Sequence, residues 1–306
     1  MNQNKKNQSF LKIYTYSSEQ LFDSSYNQNF KKYFKKNDCY SVISLLVVWA
    51  CIFFLIFISE EIDNSIIYFI SIFLMASLMN SLLDILGHDA THYNLFKRKK
   101  LNRSLQFLYF LPNFETFDRY RNEHLLHHKF IHKERDPSLE MFKRWGLDKC
   151  SKKNFFYYWY VRPFLLFDTM FSIKFVLKEL VRNREFRFKI LFFWIIVSSV
   201  FIVTSKVDIL VFYWIVPYLW LRPVFEFWSE VSDHYRVGIN LTRNSVGFLH
   251  ETIIKPFNDG YHYLHHLYPK IPWYYLKKAH KEIGIDLVSE TSYNLNDTYL
   301  LIKNSL

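Results

Sequence analysis

From Cys39 to Ser59 the chain runs without one charged side chain, and a run of that kind has few ways to fold. A bilayer core is crossed by roughly 20 apolar helical residues. That core offers no partner to a backbone N–H or C=O, so a segment inside it must close its hydrogen bonds on itself as a helix. A second charge-free run, Asn64 to Leu83, follows after a short link. Two weaker candidates come later, Ile190 to Ser205 and Ile209 to about Phe225, separated by Lys206-Val207-Asp208. The last contains Pro217 and, near its end, Arg222; neighbouring helices can re-satisfy the carbonyl a proline frees, and a long arginine can snorkel to the interface. The expectation is an all-α integral membrane protein with four transmembrane helices, at about 39–59, 64–86, 190–205 and 209–228. A large soluble helical core is the competing arrangement, and apolar runs this long and free of charge argue against it.

Basic residues orient the spans. Lys31, Lys32, Lys35 and Lys36 precede the first, the link after it holds Glu60, Glu61 and Asp63 but no lysine or arginine, and Lys97-Arg98-Lys99-Lys100 follows the second. Lysine and arginine concentrate on the cytoplasmic side, so the N-terminus is expected there. The formal net charge of +11 over 306 residues then reflects membrane orientation and contact with anionic lipid. Nucleic acid is not an expected partner, since no module for it is recognisable. The polar N-terminus shows no cleavable signal pattern. Residues 1–38 are expected as a polar cytoplasmic leader to a single membrane domain, 39–306. Cys39, Cys51 and Cys150 have no C-x-x-C spacing and suggest neither a disulfide framework nor a thiolate metal site.

Most of the 12 histidines fall into three clusters: His88 and His92; His124, His127 and His128; His262, His265 and His266. Residues at i, i+3 and i+4 share a helical face, so each cluster can aim its imidazoles at a common point. A lone histidine is usually a surface or hydrogen-bonded core residue, but His-x-x-x-His followed by two copies of His-x-x-His-His fits metal ligation far better than packing. Neutral imidazole suits iron, zinc and copper, and so many imidazoles exceed what one ion can take. Two ions are the natural count.

A dinuclear centre built from all three clusters needs them on one side of the membrane, with an even number of spans between any two. The apolar run Leu105 to Phe114, around Pro112, is too short to cross and is expected to be interfacial or re-entrant. Two candidate spans separate His128 from His262, so the count places every cluster in a cytoplasmic helical cap. Beyond the fourth span, Glu230 and His234 lie at i and i+4; His234 becomes a ninth ligand candidate and Glu230 an oxygen or water-mediated one. Ligating imidazoles usually give their second N–H to a carboxylate or carbonyl. Asp84 lies one turn before His88, Asn258 one turn before His262 if that helix starts early, and Asp136 follows the second cluster. His132, His250 and His280 stay outside the set. Asn154 to Leu180, mixing aromatics with Arg162, Lys174 and Lys178, reads as a helix at headgroup level or as a plain soluble amphipathic helix.

Gly87-His88-Asp89-Ala90-Thr91-His92, Arg121-Asn122-Glu123-His124-Leu125-Leu126-His127-His128 with Asp136-Pro137, and Tyr261-His262-Tyr263-Leu264-His265-His266-Leu267-Tyr268-Pro269 resemble the three histidine boxes of the membrane fatty acid desaturases, over roughly Cys39 to His280. Ser232-Asp233-His234, followed by Thr242-Arg243, is similar to a segment of the bacterial branch. The resemblance implies two non-haem irons held by histidines, dioxygen as co-substrate and a cytoplasmic site under a four-helix stalk. No His-Pro-Gly-Gly haem motif occurs, so a separate electron donor, of ferredoxin or cytochrome b5 type, is expected. Hydrogen removal from an unactivated methylene lies beyond side-chain acid–base chemistry and calls for a redox metal. The expected reaction is insertion of a double bond into a fatty acyl or lipid chain. Hydroxylation or ketolation of a lipid, carotenoid or small amino-acid derivative uses the same centre, and a non-redox zinc-binding membrane protein is the reading from another class.

Overall fold

Polar residues at the ends of the first apolar run decide where its helix starts and stops. In the computed structural model, which describes residues 31–165, 168–238, 242–283 and 292–306, α1 spans Asp38–Ile62, its N-cap Asn37 accepting the Cys39 N–H at 3.1 Å. Asp63 turns left-handed at φ 47° and Asn64 at once caps the next helix, accepting the Ile66 N–H at 2.9 Å. Asp and Asn tolerate these roles because their short side chains hydrogen-bond locally. The result is a hairpin of α1 with α2, Ser65–Thr91. A π-turn at Leu82–Gly87 interrupts α2 immediately before His88.

Helix α3, Phe117–Phe130, carries the second histidine cluster. The shorter α4, Pro137–Arg144, is capped by Asp136, which accepts the Ser138 N–H at 3.0 Å. Asn154 to Leu180, expected as one interfacial helix, is divided: a π-turn at Tyr157–Val161 and a 3-10 turn at Arg162–Phe164 precede α5, Thr169–Arg182. Pro163 inside that stretch has no N–H to continue a helix. Helix α5 buries none of its residues and exposes Met170, Phe171, Leu177 and Val181. Next comes α6, Arg184–Val203, starting at Arg184 and not at Ile190 because Asn183 caps it and accepts the Phe186 N–H at 3.0 Å. Helix α7, Val207–His234, runs on through the fourth apolar block to the ninth histidine.

Helices α1, α2, α6 and α7 are long and apolar enough to cross a membrane. On α1 and α6 large apolar side chains face outward, Phe53 64% exposed, Phe192 70% and Val203 83%. A contiguous belt of that kind suits hydrocarbon surroundings. Inward, Val48 and Ile52 of α1 pack with Ile72, Met75 and Met79 of α2 and Phe225 of α7. Trp49 stacks on Trp214 with centroids 5.6 Å apart. Their indoles donate to the Leu108 carbonyl at 3.1 Å and the Pro112 carbonyl at 2.8 Å. The segment between α2 and α3, expected to be interfacial or re-entrant, is thereby held as two 3-10 turns, Leu105–Leu108 and Leu111–Asn113, with carbonyls satisfied by the bundle itself.

A second core joins Trp145, Trp159, Phe227 and Val231 to Ile302. Among its described residues the last part of the chain includes a short parallel pair, β1 (Asn244–Ser245) with β2 (Ser292–Tyr293), and the helices α8, His262–Leu267, α9, Trp273–Ile283, and α10, Leu295–Ser305. Most of the leader expected over 1–38 lies outside the described residues; within it Lys31–Phe34 form a 3-10 turn.

Candidate metal centre

Each His-x-x-His-His run divides its rings between two places. Successive helical residues are about 100° apart, so the i+4 side chain stays near the first while i+3 swings to the other flank. On α3, His124 and His128 therefore join one group and His127 the other. On α8 the split is reversed, His265 going to the first group and His262 with His266 to the second. His88 and His92, at the end of α2, complete a group of five with His124, His128 and His265; His234, at the end of α7, completes a group of four with His127, His262 and His266. All nine candidates are brought together. His132 stays at the margin, its ring centroid 5.8 Å from that of His234.

In the first group, His124 Nε2 lies 2.8 Å from His88 Nε2, 2.7 Å from His92 Nε2 and 2.8 Å from His128 Nε2. His128 Nε2 is also 3.1 Å from His265 Nε2. In the second, His262 Nε2 lies 2.9 Å from His234 Nε2 and 3.0 Å from His266 Nε2. The groups adjoin: His128 stacks on His266 with centroids 4.3 Å apart.

Hydrogen bonding cannot account for this crowding. An imidazole nitrogen carries either one hydrogen or one lone pair, so His124 Nε2 cannot pair with three neighbours at once. A shared cation can: with metal–nitrogen bonds of about 2.1 Å, ligands at right angles stand roughly 3 Å apart. Five converging imidazoles also exceed the four ligands of a usual zinc site, and so favour an ion that accepts six. Burial, followed by the neighbouring imidazoles, holds His92, His124 and His265 well below the usual histidine range. Burial also lowers His128 to about 3 and, with Lys255 or adjacent rings, depresses His262 and His266. These rings are neutral near pH 7, the form that ligates.

The outer nitrogens have their own partners. His127 Nδ1 lies 2.8 Å from Asp136 Oδ1, and the other Asp136 oxygen accepts the His132 backbone N–H at 2.6 Å. Burial alone would lower His127, but the Asp136 hydrogen bond and the Glu230 carboxylate outweigh it and raise it. Asp259 Oδ1 stands 3.7 Å from His88 Nδ1, and Asp233 Oδ2 stands 3.5 Å from His262 Nδ1. Between these two carboxylates lies Lys255, only 1% exposed, paired to Asp233 and 3.5 Å from Asp259. A buried chain His88–Asp259–Lys255–Asp233–His262 thus links the two groups.

Two expected ring partners are placed elsewhere. Asp84 accepts the Tyr120 hydroxyl at 3.0 Å instead of a His88 N–H. Asn258 is not on the helix of His262, which starts only at His262; it is left-handed at φ 62° and donates to the Trp273 carbonyl at 3.4 Å. The carboxylate nearest the His262 Nδ1 is that of Asp233, and the residue after Asn258, Asp259, faces His88. Asp259 and Lys255 were missed by sequence reasoning; a lysine and an aspartate four apart just before a histidine cluster were the available signal. Glu230 stands beside the second group, its Oε1 buried without a hydrogen-bond partner among the described residues.

Backbone anchors fix the carriers. Arg243 donates to the Val231, Ser232 and Tyr235 carbonyls at 2.9, 2.7 and 2.6 Å and so closes the end of α7 that bears His234. Gly260 accepts the Ser245 N–H at 2.7 Å, and a Cβ there would run into the Ser245 carbonyl oxygen. Asn244 Oδ1 accepts the Tyr263 N–H at 2.9 Å at the start of α8. A cavity of about 630 Å³ leads from His88, His124, His127, His234 and His262 between α2, α3 and α7.

The sequence pattern of the family described as "Fatty acid desaturase" matches residues 63–289. The chain is also 31% identical over 225 residues to a dihydrorhizobitoxine desaturase of Bradyrhizobium elkanii, an overlap of 65% of this chain and 63% of that relative. The matched part thus spans less than two thirds of the relative's length.

Proposed function

The chain belongs to the fatty acid desaturase family, and from that premise we propose that it is a membrane-bound, oxygen-dependent desaturase whose two histidine groups hold two non-haem irons. The observation that carries this reading is the pair of adjoining imidazole sets, five and four strong. Bound irons would supply the redox chemistry by which dioxygen, two electrons and two protons take two hydrogens from neighbouring carbons, leaving a double bond and two waters.

The chain's own residues prepare that chemistry. Asp136 takes the Nδ1–H of His127 and fixes the tautomer that turns Nε2 to the centre; Asp233 and Asp259 stand ready to do the same at His262 and His88. Lys255, buried between them, offsets the charge of the two carboxylates. Glu230, with its orphaned oxygen, is the added oxygen donor, direct or through water. The electrons come from a separate protein of ferredoxin or cytochrome b5 type. The basic flanks of the first two spans favour a cytoplasmic centre. The expected substrate was an acyl or lipid chain, but the relative is named for dihydrorhizobitoxine, so the family's machinery is compatible with another substrate.

Metal analysis of the purified protein tests this reading, with an expected content of two irons per chain. His265→Ala should insert into the membrane yet lose turnover with dithionite and oxygen. Full activity of iron-loaded His265→Ala, or full zinc occupancy with oxygen-independent activity, would overturn it. Product analysis separates desaturation, with loss of two hydrogens, from hydroxylation, with gain of oxygen.

A further inference from the structure

The wall of the cavity that reaches the histidines is charged. Along α7, Arg222, Glu226, Glu230 and His234 follow one another at i, i+4 spacing, all lining the cavity, with a rise of roughly 6 Å per step. Asp84, one turn before His88, and Arg144 and Arg119 close other sides. An acyl chain gains by leaving water only for apolar surroundings, and laid against ion pairs it would strip their hydration without replacing it. Leu83, Phe114, Met141, Phe171, Phe175 and Tyr218 share the lining with these charges and give apolar contact to methylenes beside a polar end.

The hydrogen-bond inventory shows which charges have capacity left. Arg119 is held between Glu115 and Glu123, with Nη1 2.6 Å from Glu123. Arg144 already turns Nε and Nη2 to one carboxylate, 3.0 and 3.3 Å from Asp168. Arg222, its side chain 8% exposed, donates Nη2 to Glu226 at 3.1 Å, and its Nε is buried with no hydrogen-bond partner among the described residues. Nε and Nη2 form one edge of the guanidinium, the edge that grips a carboxylate with two parallel bonds, and here half of it is unused. The Tyr218 ring lies beneath, 5.1 Å from the guanidinium carbon. Asp84, for its part, receives the single hydroxyl of Tyr120 among the described residues. Across the lining, carboxylates outnumber cationic side chains.

We infer that the substrate is an elongated, small amphoteric molecule with an ammonium and a carboxylate at one end, of amino-acid type, and not a fatty acyl chain. Its carboxylate takes the Nε/Nη2 edge of Arg222, its ammonium takes Glu226, freed from that edge, together with Asp84. The methylenes to be desaturated extend along α7 towards His234. This inference rests on the desaturase reading of the histidine centre, whose residues it leaves untouched.

The test uses the purified full chain in nanodiscs, with L-2-aminooctanoate as probe and octanoate, octylamine and stearoyl-CoA as comparators, read by titration calorimetry. L-2-Aminooctanoate should bind at least about tenfold tighter than octanoate or octylamine, since a site built to hydrogen-bond a group rejects the analogue lacking it. Arg222→Gln should remove the advantage over octylamine. Because that change leaves Glu226 buried beside an uncharged group, the pair Arg222→Gln/Glu226→Gln is the control for folding: iron content stays at the wild-type level while the preference disappears. Binding of stearoyl-CoA with no binding of L-2-aminooctanoate, at two irons per chain, would overturn the substrate class and leave the desaturase reading intact. Selective binding of L-2-aminooctanoate by a protein that holds no iron would do the reverse.

Discussion

At the scale of single residues, charge partners outside the ligand set govern how firmly the imidazoles are held. Asp136→Asn keeps the shape but can present an amide N–H to His127 where a carboxylate accepted one. Loss of such a partner typically lowers metal affinity or activity by about 10–100-fold, and iron retention against a competing chelator is the measurement. Lys255→Met should be worse for stability. It leaves Asp233 and Asp259 facing each other buried and unbalanced, a cost of about 3–5 kcal/mol, visible as a lowered thermal midpoint in detergent. An unchanged midpoint would mean that the two carboxylates take up protons without strain. Gly260→Ala drives a methyl into the Ser245 carbonyl, so β1 and the start of α8 cannot both keep their places, and the expected result is loss of iron with loss of stability.

At the scale of elements, the end of α7 is the clearest case. Arg243 gathers two of its carbonyls and that of Tyr235 just beyond it, and a hydrogen bond from a charged donor contributes about 1.5–3 kcal/mol. Arg243→Ala should fray that end and speed the loss of iron to a competing chelator; a rate of loss equal to that of the unaltered protein would refute a role of this anchor in holding the centre. This element also shows what was legible beforehand. The apolar runs announce the starts of α1 and α2 to within a residue, because a charge-free stretch of bilayer length has one solution, but the helices run three and five residues past the expected ends, to Ile62 and Thr91. Histidine spacing announces which rings gather, since helical periodicity is local. What escapes is anything set by contact across the chain. The π-turn at Leu82–Gly87 leaves no mark in composition, and the left-handed turn at Asn258 comes with a hydrogen bond to the Trp273 carbonyl fifteen residues on. Which of the two groups each half of a His-x-x-His-His run joins follows from the placement of α3 against α8, which spacing alone does not set.

For the whole molecule, the exposed apolar belt and the buried polar centre make opposite demands on solvent. Cys51 lies on the outer face of α1 well inside the span, while Cys39 stands at its beginning; both are exposed, and Cys150 is buried. In intact membrane vesicles an impermeant maleimide should leave Cys51 unmodified and reach Cys39 only when the cytoplasmic face is outside, with detergent restoring reaction at Cys51. Labelling of Cys51 without detergent would place α1 in water.

The distribution of histidines between the two groups has one more outcome. Because α3 and α8 each contribute rings to both sets, an ion entering either set immobilises both helices and lessens the ordering cost of the other. Occupancy should then be cooperative: in an iron titration, chains with none and chains with two predominate, and the singly loaded form stays scarce.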